Sequence, residues 1–472
     1  MRWRALIGAL VAVPVAGLLF PSPALAHGIV GRTDLPIPVW LFGWAAAVVL
    51  VVSFVALGSL WPTARFQEEP HGRRVVALPV AVDVLLGALG VVLFGLTVYS
   101  GLAGVQDAFG NFAPTMVYVL FWVGMVVASV LFGNVFRLLS PWRAIARAVS
   151  WTFRRIGKRE PPPVVEYPKW LGRWPAAAGL FAFAFVELAY RGRDDPSQLA
   201  IMALVYAVVM LGGMAWFGIE TWSERADPFG VYFGLFARLS AFVRRDGVLY
   251  ARVPLSGAPG LAIVPGTIAL LCVAIGTTTF DGFSNGPLWG SIQPHIASLF
   301  SHLGAGSLNQ LMWASLIGLV LCVAVISGFY LLGIRGMVSV GEGHDERELA
   351  GLFAHTLIPI AFAYALAHYF SLLVFQGQGA IHLFSDPLGH GSNIFGTAHT
   401  AIDYGVISSK GIWYVQVGAL VVGHVCGLIL AHDRAVAMYR QVGDALRSQY
   451  WMLVVMVGFT SLGLWLLSAV NT

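Results

Sequence analysis

Charge is scarce in this sequence. Only 11% of its 472 residues are Asp, Glu, Lys or Arg, while 58% are apolar. A soluble domain is charged at roughly 25% of its positions, so water is excluded as the medium around most of this surface. Cysteine is almost as rare. Cys272, Cys322 and Cys426 all fall inside apolar segments, which excludes a disulfide framework or a zinc-type spacing and makes them small packing residues. A Gly-x-Ser-x-Gly elbow, a His-Glu-x-x-His pair and a P-loop are also missing, so the chain carries no strong catalytic signature.

Long apolar runs fill the chain instead. Stretches over 38–61, 77–102, 114–139, 174–190, 199–219, 261–280, 310–333, 350–375, 411–431 and 449–469 each meet or approach the length of a membrane-crossing helix, roughly 20 residues. The expected fold class is all-α: a polytopic transmembrane helical bundle of about ten crossings, forming a single domain over 27–472. Ahead of it, Arg2 and Arg4, an apolar stretch over 5–20 and the small-x-small site Ala24-Leu25-Ala26 read as a signal peptide over 1–26. Its cleavage leaves His27 as the first mature residue, outside the cytoplasmic membrane, and ten crossings then put both termini outside. The basic residues test this independently. With loops assigned alternately, 22 Lys and Arg fall inside, and 4 (Arg32, Arg191, Arg193 and Lys410) fall outside, as the positive-inside rule requires. The net charge of +5 is therefore topology. The lipid bilayer is the expected partner, and nucleic acid is not.

Two inner segments look alike. Ser140-Pro141-Trp142 opens one, which ends Arg154-Arg155-Ile156-Gly157. Asp227-Pro228-Phe229 opens the other, which ends Arg244-Arg245-Asp246-Gly247. Ser or Asp before Pro is a helix-start signal, and Arg mixed with aromatics suits helices in the headgroup layer. The pattern suggests a duplicated helix pair. On the outer side, loops over 27–37, 281–309 and 376–410 are Gly-rich and carry Asn, Ser, Asp and His, which makes that face the working surface.

Ionisable groups inside spans are costly and are usually functional or paired. Asp83 and His355 sit six and five residues in from the inner ends of their spans, and His424 seven, all on the order of 8–10 Å deep. Asp83, His355 and His424 are therefore expected in one inner layer, as a metal or proton site or as interhelical links. His368 lies about 20 Å further out than His355, in an outer layer with Glu187. Haem ligation is disfavoured, because His355 and His368 lie about 220° apart around one helix. Outside the spans, His27, His295, His302, His382, His390 and His399 accompany Asp281, Asp386 and Asp403. Imidazole and carboxylate suit a divalent transition metal, Zn or Cu. The expected outer ligands are His27, His368, His382, His390 and His399; His27 would offer both its amine and its ring. The blander reading is that these are ordinary polar residues of His-rich loops.

Several segments resemble those of a known family. They are Ala26-His27-Gly28-Ile29 leading into Asp34-Leu35-Pro36, Phe132-Gly133-Asn134 with Ser140-Pro141-Trp142-Arg143, and Asp281-Gly282-Phe283-Ser284-Asn285-Gly286-Pro287. To these are added His368-Tyr369-Phe370-Ser371 and Gly423-His424 through Ala431-His432-Asp433-Arg434. Over essentially the whole chain, the sequence resembles the fenitrothion hydrolases of bacterial, chiefly actinobacterial, membranes. The resemblance implies hydrolysis of a phosphotriester-like organophosphate. It brings no assigned catalytic residues, so the site residues above come from the sequence alone.

Three functions follow. The first is a membrane hydrolase in which a metal-bound water attacks phosphorus. The second is a copper-like metal-ion or proton-coupled transporter or channel, with His368, His424, His355 and Asp83 along its path. The third is a structural membrane subunit whose polar residues tie helices together.

Overall fold

The computed structural model describes residues 39–67, 72–157, 163–301, 306–340 and 343–469. The expected signal peptide, with His27 and His302, lies outside the described residues. The chain passes through α1 (Val39–Leu60), β1 (Arg73–Ala77), α2 (Val80–Ala103), α3 (Phe112–Phe132), α4 (Pro141–Gly157), α5 (Trp174–Leu188), α6 (Pro196–Phe217), α7 (Ile219–Arg225) and α8 (Pro228–Phe236). A hairpin of β2 (Phe242–Arg245) and β3 (Val248–Ala251) follows. Then come α9 (Thr267–Ser284), α10 (Pro287–Ser298), α11 (Ser307–Val338), α12 (Glu346–Phe353), α13 (Leu357–Ser385), α14 (Ser409–Met438), α15 (Val442–Ser448) and α16 (Tyr450–Ala469).

Among the described residues, eight helical spans are long and apolar enough to cross a membrane: α1 from Gly43, α2, α3, α6, α9, α11, the run Glu346–Ser385, and α14. Their outer faces are apolar too. Val80, Leu85 and Val92 along α2 are 75%, 69% and 64% exposed, and a contiguous surface of this kind needs lipid. The chain is thus a mostly helical, multi-pass membrane protein. Two further apolar runs form α5, of 15 residues, and α16, of 20.

Local signals explain where elements start and stop. Asp195 caps α6 by accepting from Ser197 N and Gln198 N, and Asp227 caps α8 by accepting from Phe229 N and Gly230 N. In both, Pro at the first helical position sacrifices no hydrogen bond. The duplicated helix pair is not found. The first segment is one helix, α4, but the second leaves α8 for the β2–β3 hairpin. Asp246 and Gly247 both have positive φ, 48° and 78°, the geometry of a tight two-residue hairpin turn. The outer segments also differ from expectation. α9 continues to Ser284, α10 starts at Pro287 behind Gly286, and α13 continues to Ser385, so much of 281–309 is helical, while 386–408 is irregular.

Two compact units share the chain discontinuously. The first holds the described residues of Met1–Gln67, Ile275–His368 and Ile407–Thr472; the second holds those of Glu68–Ala274 and Tyr369–Val406. In the first unit α1 packs on α14 and α16, and α16 packs on α11. A Cβ at Gly423 of α14 would collide with Ala363 and with the Pro359 carbonyl, so glycine sets that helix–helix approach. Beyond α1, the chain wraps the fully buried carboxylate of Asp433. Trp61 Nε1 (3.0 Å), Arg65 N (2.6 Å), Phe66 N (3.1 Å) and Gln67 Nε2 (2.6 Å) all donate to it.

In the second unit α2 packs on α4 and α6. A Cβ at Gly90 would fall on the Leu139 carbonyl. The three strands form an antiparallel sheet in the order β1-β3-β2. Arg244 of β2 grips both carboxylate oxygens of Asp83 in the first turn of α2, with Nη2–Oδ2 at 3.0 Å.

Candidate functional site

The second unit contains a cavity of about 560 Å³, a volume typical of small-molecule sites. Helices α2, α3, α5, α6 and α8 build its wall. Within α3, Thr115–Gly124 is wound as a π-helix and presents Met116, Val117 and Phe121 to the cavity. Such widened turns concentrate at functional sites. The aromatic wall is interlocked edge to face. Phe229 meets Phe121 at 4.8 Å and Phe183 at 5.0 Å between ring centroids, and Trp142 meets Tyr206 at 4.9 Å.

Asp227 sits behind this wall, 1% exposed. It accepts from Tyr206 OH (2.6 Å), Trp142 Nε1 (3.0 Å), Gly230 N (2.9 Å) and Phe229 N (3.1 Å). Burial pushes its carboxyl above the ordinary range, against the pull of these donors. Every donor is directed at the carboxylate, so Asp227 orients Tyr206, Trp142 and Phe229 and leaves the cavity surface itself apolar. The expectation from sequence was only of a helix cap; burial of the charge depends on α4 and α6 arriving from elsewhere in the chain.

Beside it, Glu220 of α7 ties three arginines together. It accepts from Arg143 Nη2 (2.7 Å), Arg137 Nη2 (2.7 Å) and Arg147 Nη2 (2.8 Å). Burial opposes its ionisation, but the charges of Arg143 and Arg137 and the hydrogen bond from Arg147 outweigh it and hold the carboxyl at about 2. A carboxylate depressed in the folded state stabilises the fold above its ordinary value of 4.5, and that stability is lost as pH falls towards the folded value. Thermal unfolding in detergent is therefore expected to steepen in pH dependence between pH 4.5 and about 2, and Glu220→Gln is expected to flatten that slope.

In the first unit, His368 Nε2 meets Asp281 Oδ2 at 2.8 Å, with both side chains largely buried. A carboxylate that orients an imidazole is an arrangement used in acid–base work and metal ligation. His424 is fully buried. Its Nδ1 lies 2.7 Å from Leu420 O, which requires a donated proton there and leaves Nε2 as a lone pair. Among the described residues Nε2 has no hydrogen-bond partner, and the Tyr364 ring stands 6.0 Å away. His355 lies in the short turn Ala354–Thr356, with Nδ1 on Leu352 O at 2.9 Å.

The inner trio is thus held by other partners: Asp83 by Arg244 in the second unit, and His355 and His424 by carbonyls of their own helices. Of the expected outer ligands, His382 lies in the last turn of α13, while His390 and His399 lie in the segment after it. Among the described residues, no three His, Cys, Asp or Glu side chains gather in a group that could hold a metal. His368 with Asp281 supplies two donors, where a catalytic zinc takes three from protein. Among the described residues the three cysteines form no disulfide. No family model, curated protein or solved structure matches the chain.

Proposed function

We propose that the protein is a cytoplasmic-membrane hydrolase of neutral, phosphotriester-like esters and that the aromatic cavity of the second unit is its substrate chamber. The observation that carries this is the cavity's chemistry: about 560 Å³ bounded by Phe, Trp, Tyr, Met and aliphatic side chains, with the carboxylate behind its aromatic wall, Asp227, already engaged by four donors. An uncharged aryl ester dissolves in lipid and gains by stacking on such rings. A phosphate monoester would lose its hydration without a compensating charge. The resemblance to fenitrothion hydrolases supplies the reaction. Ten crossings after a cleaved peptide over 1–26, with both termini outside, are supported by the eight spans together with α5 and α16 and by the placement of Lys and Arg.

The test is turnover of a neutral aryl phosphotriester by protein in lipid, followed as release of the aryl alcohol. Ala182 lines the cavity. Ala182→Trp is expected to raise KM at least about fivefold, as loss of apolar pocket contact of 1–3 kcal/mol would, with the fold intact. Equal KM in both proteins sinks the chamber assignment, and absence of turnover sinks the hydrolase. A second reading, proton or metal-ion transport, is favoured by the buried lone pair on His424 and the His368–Asp281 pair. Uptake into proteoliposomes that His424→Ala leaves unchanged would remove it.

A further inference from the structure

Helix α4 (Pro141–Gly157) is anchored at one end only. Its first turn is buried: Trp142 donates to Asp227, and Arg143 lies on Glu220 with 4% of its surface exposed. Ala144 fills the space beside Gly87 of α2. From Arg147 onward, every residue except Ser150 is exposed, although the segment stays helical to Gly157. Eleven residues of isolated helix are marginal in water, so something covers this segment.

Its two faces say what. At 100° per residue, Val149, Phe153 and Ile156 share one stripe, and they are 48%, 57% and 80% exposed. Arg147, Trp151, Arg154 and Arg155 occupy the opposite side, with the Arg155 guanidinium 5.2 Å above the Trp151 ring. The sequence continues Lys158-Arg159, and no carboxylate occurs between Pro141 and Arg159. The level is also fixed. Gly87 lies seven residues into α2 from Val80, about 10 Å along the helix axis, so α4 leaves α2 near the end of the span that follows Arg73 and Arg74.

We propose that the exposed part of α4, over 147–157, is a docking helix for an anionic phospholipid surface, with Val149, Phe153 and Ile156 in the acyl layer and Arg154 and Arg155 on lipid phosphates. This rests on the membrane embedding of the chain and is independent of the cavity and of hydrolysis. A polar partner protein would leave the apolar stripe uncovered, and a second copy would bring arginine against arginine; a negative bilayer satisfies both faces.

The test is hydrogen exchange of the full-length protein, one copy per nanodisc, in phosphatidylcholine alone and with phosphatidylglycerol added. Each arginine near an anionic surface strengthens association roughly fivefold. Amides over 148–157 are therefore expected to exchange about 25-fold faster in R154Q/R155Q than in the wild type when phosphatidylglycerol is present. In phosphatidylcholine alone the difference between the two proteins should be much smaller. R154K/R155K should retain the protection, and V149S/F153S/I156S should lose it, while amides over 144–146 stay protected in every variant. Equal protection in both lipids, protection that survives R154Q/R155Q, or protection found only in discs with two copies overturns the proposal.

Discussion

Asp433→Ala is expected to lower the unfolding free energy in detergent by ~4 kcal/mol or more, the cost of leaving several buried donors unpaired at once. Four donors converge on this carboxylate: an indole, a side-chain amide and two successive backbone N–H groups at Arg65 and Phe66. Alanine abandons all of them in a place that water reaches poorly. Hydrogen bonds to a charged acceptor are worth about 1.5–3 kcal/mol each, and partial rehydration of the 61–67 segment recovers some of their sum. Against a total stability of about 5–15 kcal/mol the remainder is a large fraction. Asp433→Asn preserves the shape but sets an NH₂ group against donors, so it should recover less than half of the loss. A change below about 1 kcal/mol in Asp433→Ala would show that the cage is incidental. The neighbouring His432, whose Nε2 lies 3.1 Å from Trp61 O and whose Nδ1 lies 3.4 Å from Gln449 Nε2, should matter less because it holds two contacts where the carboxylate holds four.

Asp227→Ala is expected to cost ~3–5 kcal/mol and to weaken occupancy of the aromatic cavity more than tenfold. Tyr206, Trp142 and two backbone N–H groups lose their common acceptor; the rings of the first two pack against one another, and that of Tyr206 also packs against Phe229. The wall should then sample other rotamers, which a binding measurement with a neutral aryl ester reads directly. Tyr206→Phe is the control. It removes one hydroxyl and keeps the ring, so a loss of about 1–2 kcal/mol with nearly unchanged ligand affinity is expected. If Tyr206→Phe abolishes binding while Asp227→Ala does not, the hydroxyl contacts the ligand and the positioning role assigned to Asp227 fails.

Much of the helical framework was legible because a helix in lipid must be apolar along its length. The runs at 38–61, 77–102 and 199–219 differ from α1, α2 and α6 by only a few residues at either end. The β2–β3 hairpin escaped notice although Asp246-Gly247 signals one: the likeness between the two arginine-containing segments suggested repetition, and turn geometry decided the outcome. The site was less legible. Histidines and aspartates could be placed by depth but not by partner, since pairing is a long-range fact. His368 finds Asp281 from 87 positions away, and Asp83 finds Arg244 from 161. The cavity left no trace in the sequence beyond a density of aromatics, because its volume arises where α2, α3, α5, α6 and α8 fail to close on one another.

The cage around Asp433 also sets a schedule for biogenesis. Trp61 leaves the ribosome 372 residues before its acceptor does, and at about 5–20 residues per second the nascent chain waits roughly 20–75 s for the partner that completes its first turn after α1. During that interval the opening span must remain in the bilayer with its neighbours α14 and α16 still unmade. Insertion and assembly are therefore separate events for this unit, and a chain interrupted before residue 433 leaves the donors of Trp61, Arg65, Phe66 and Gln67 without their acceptor.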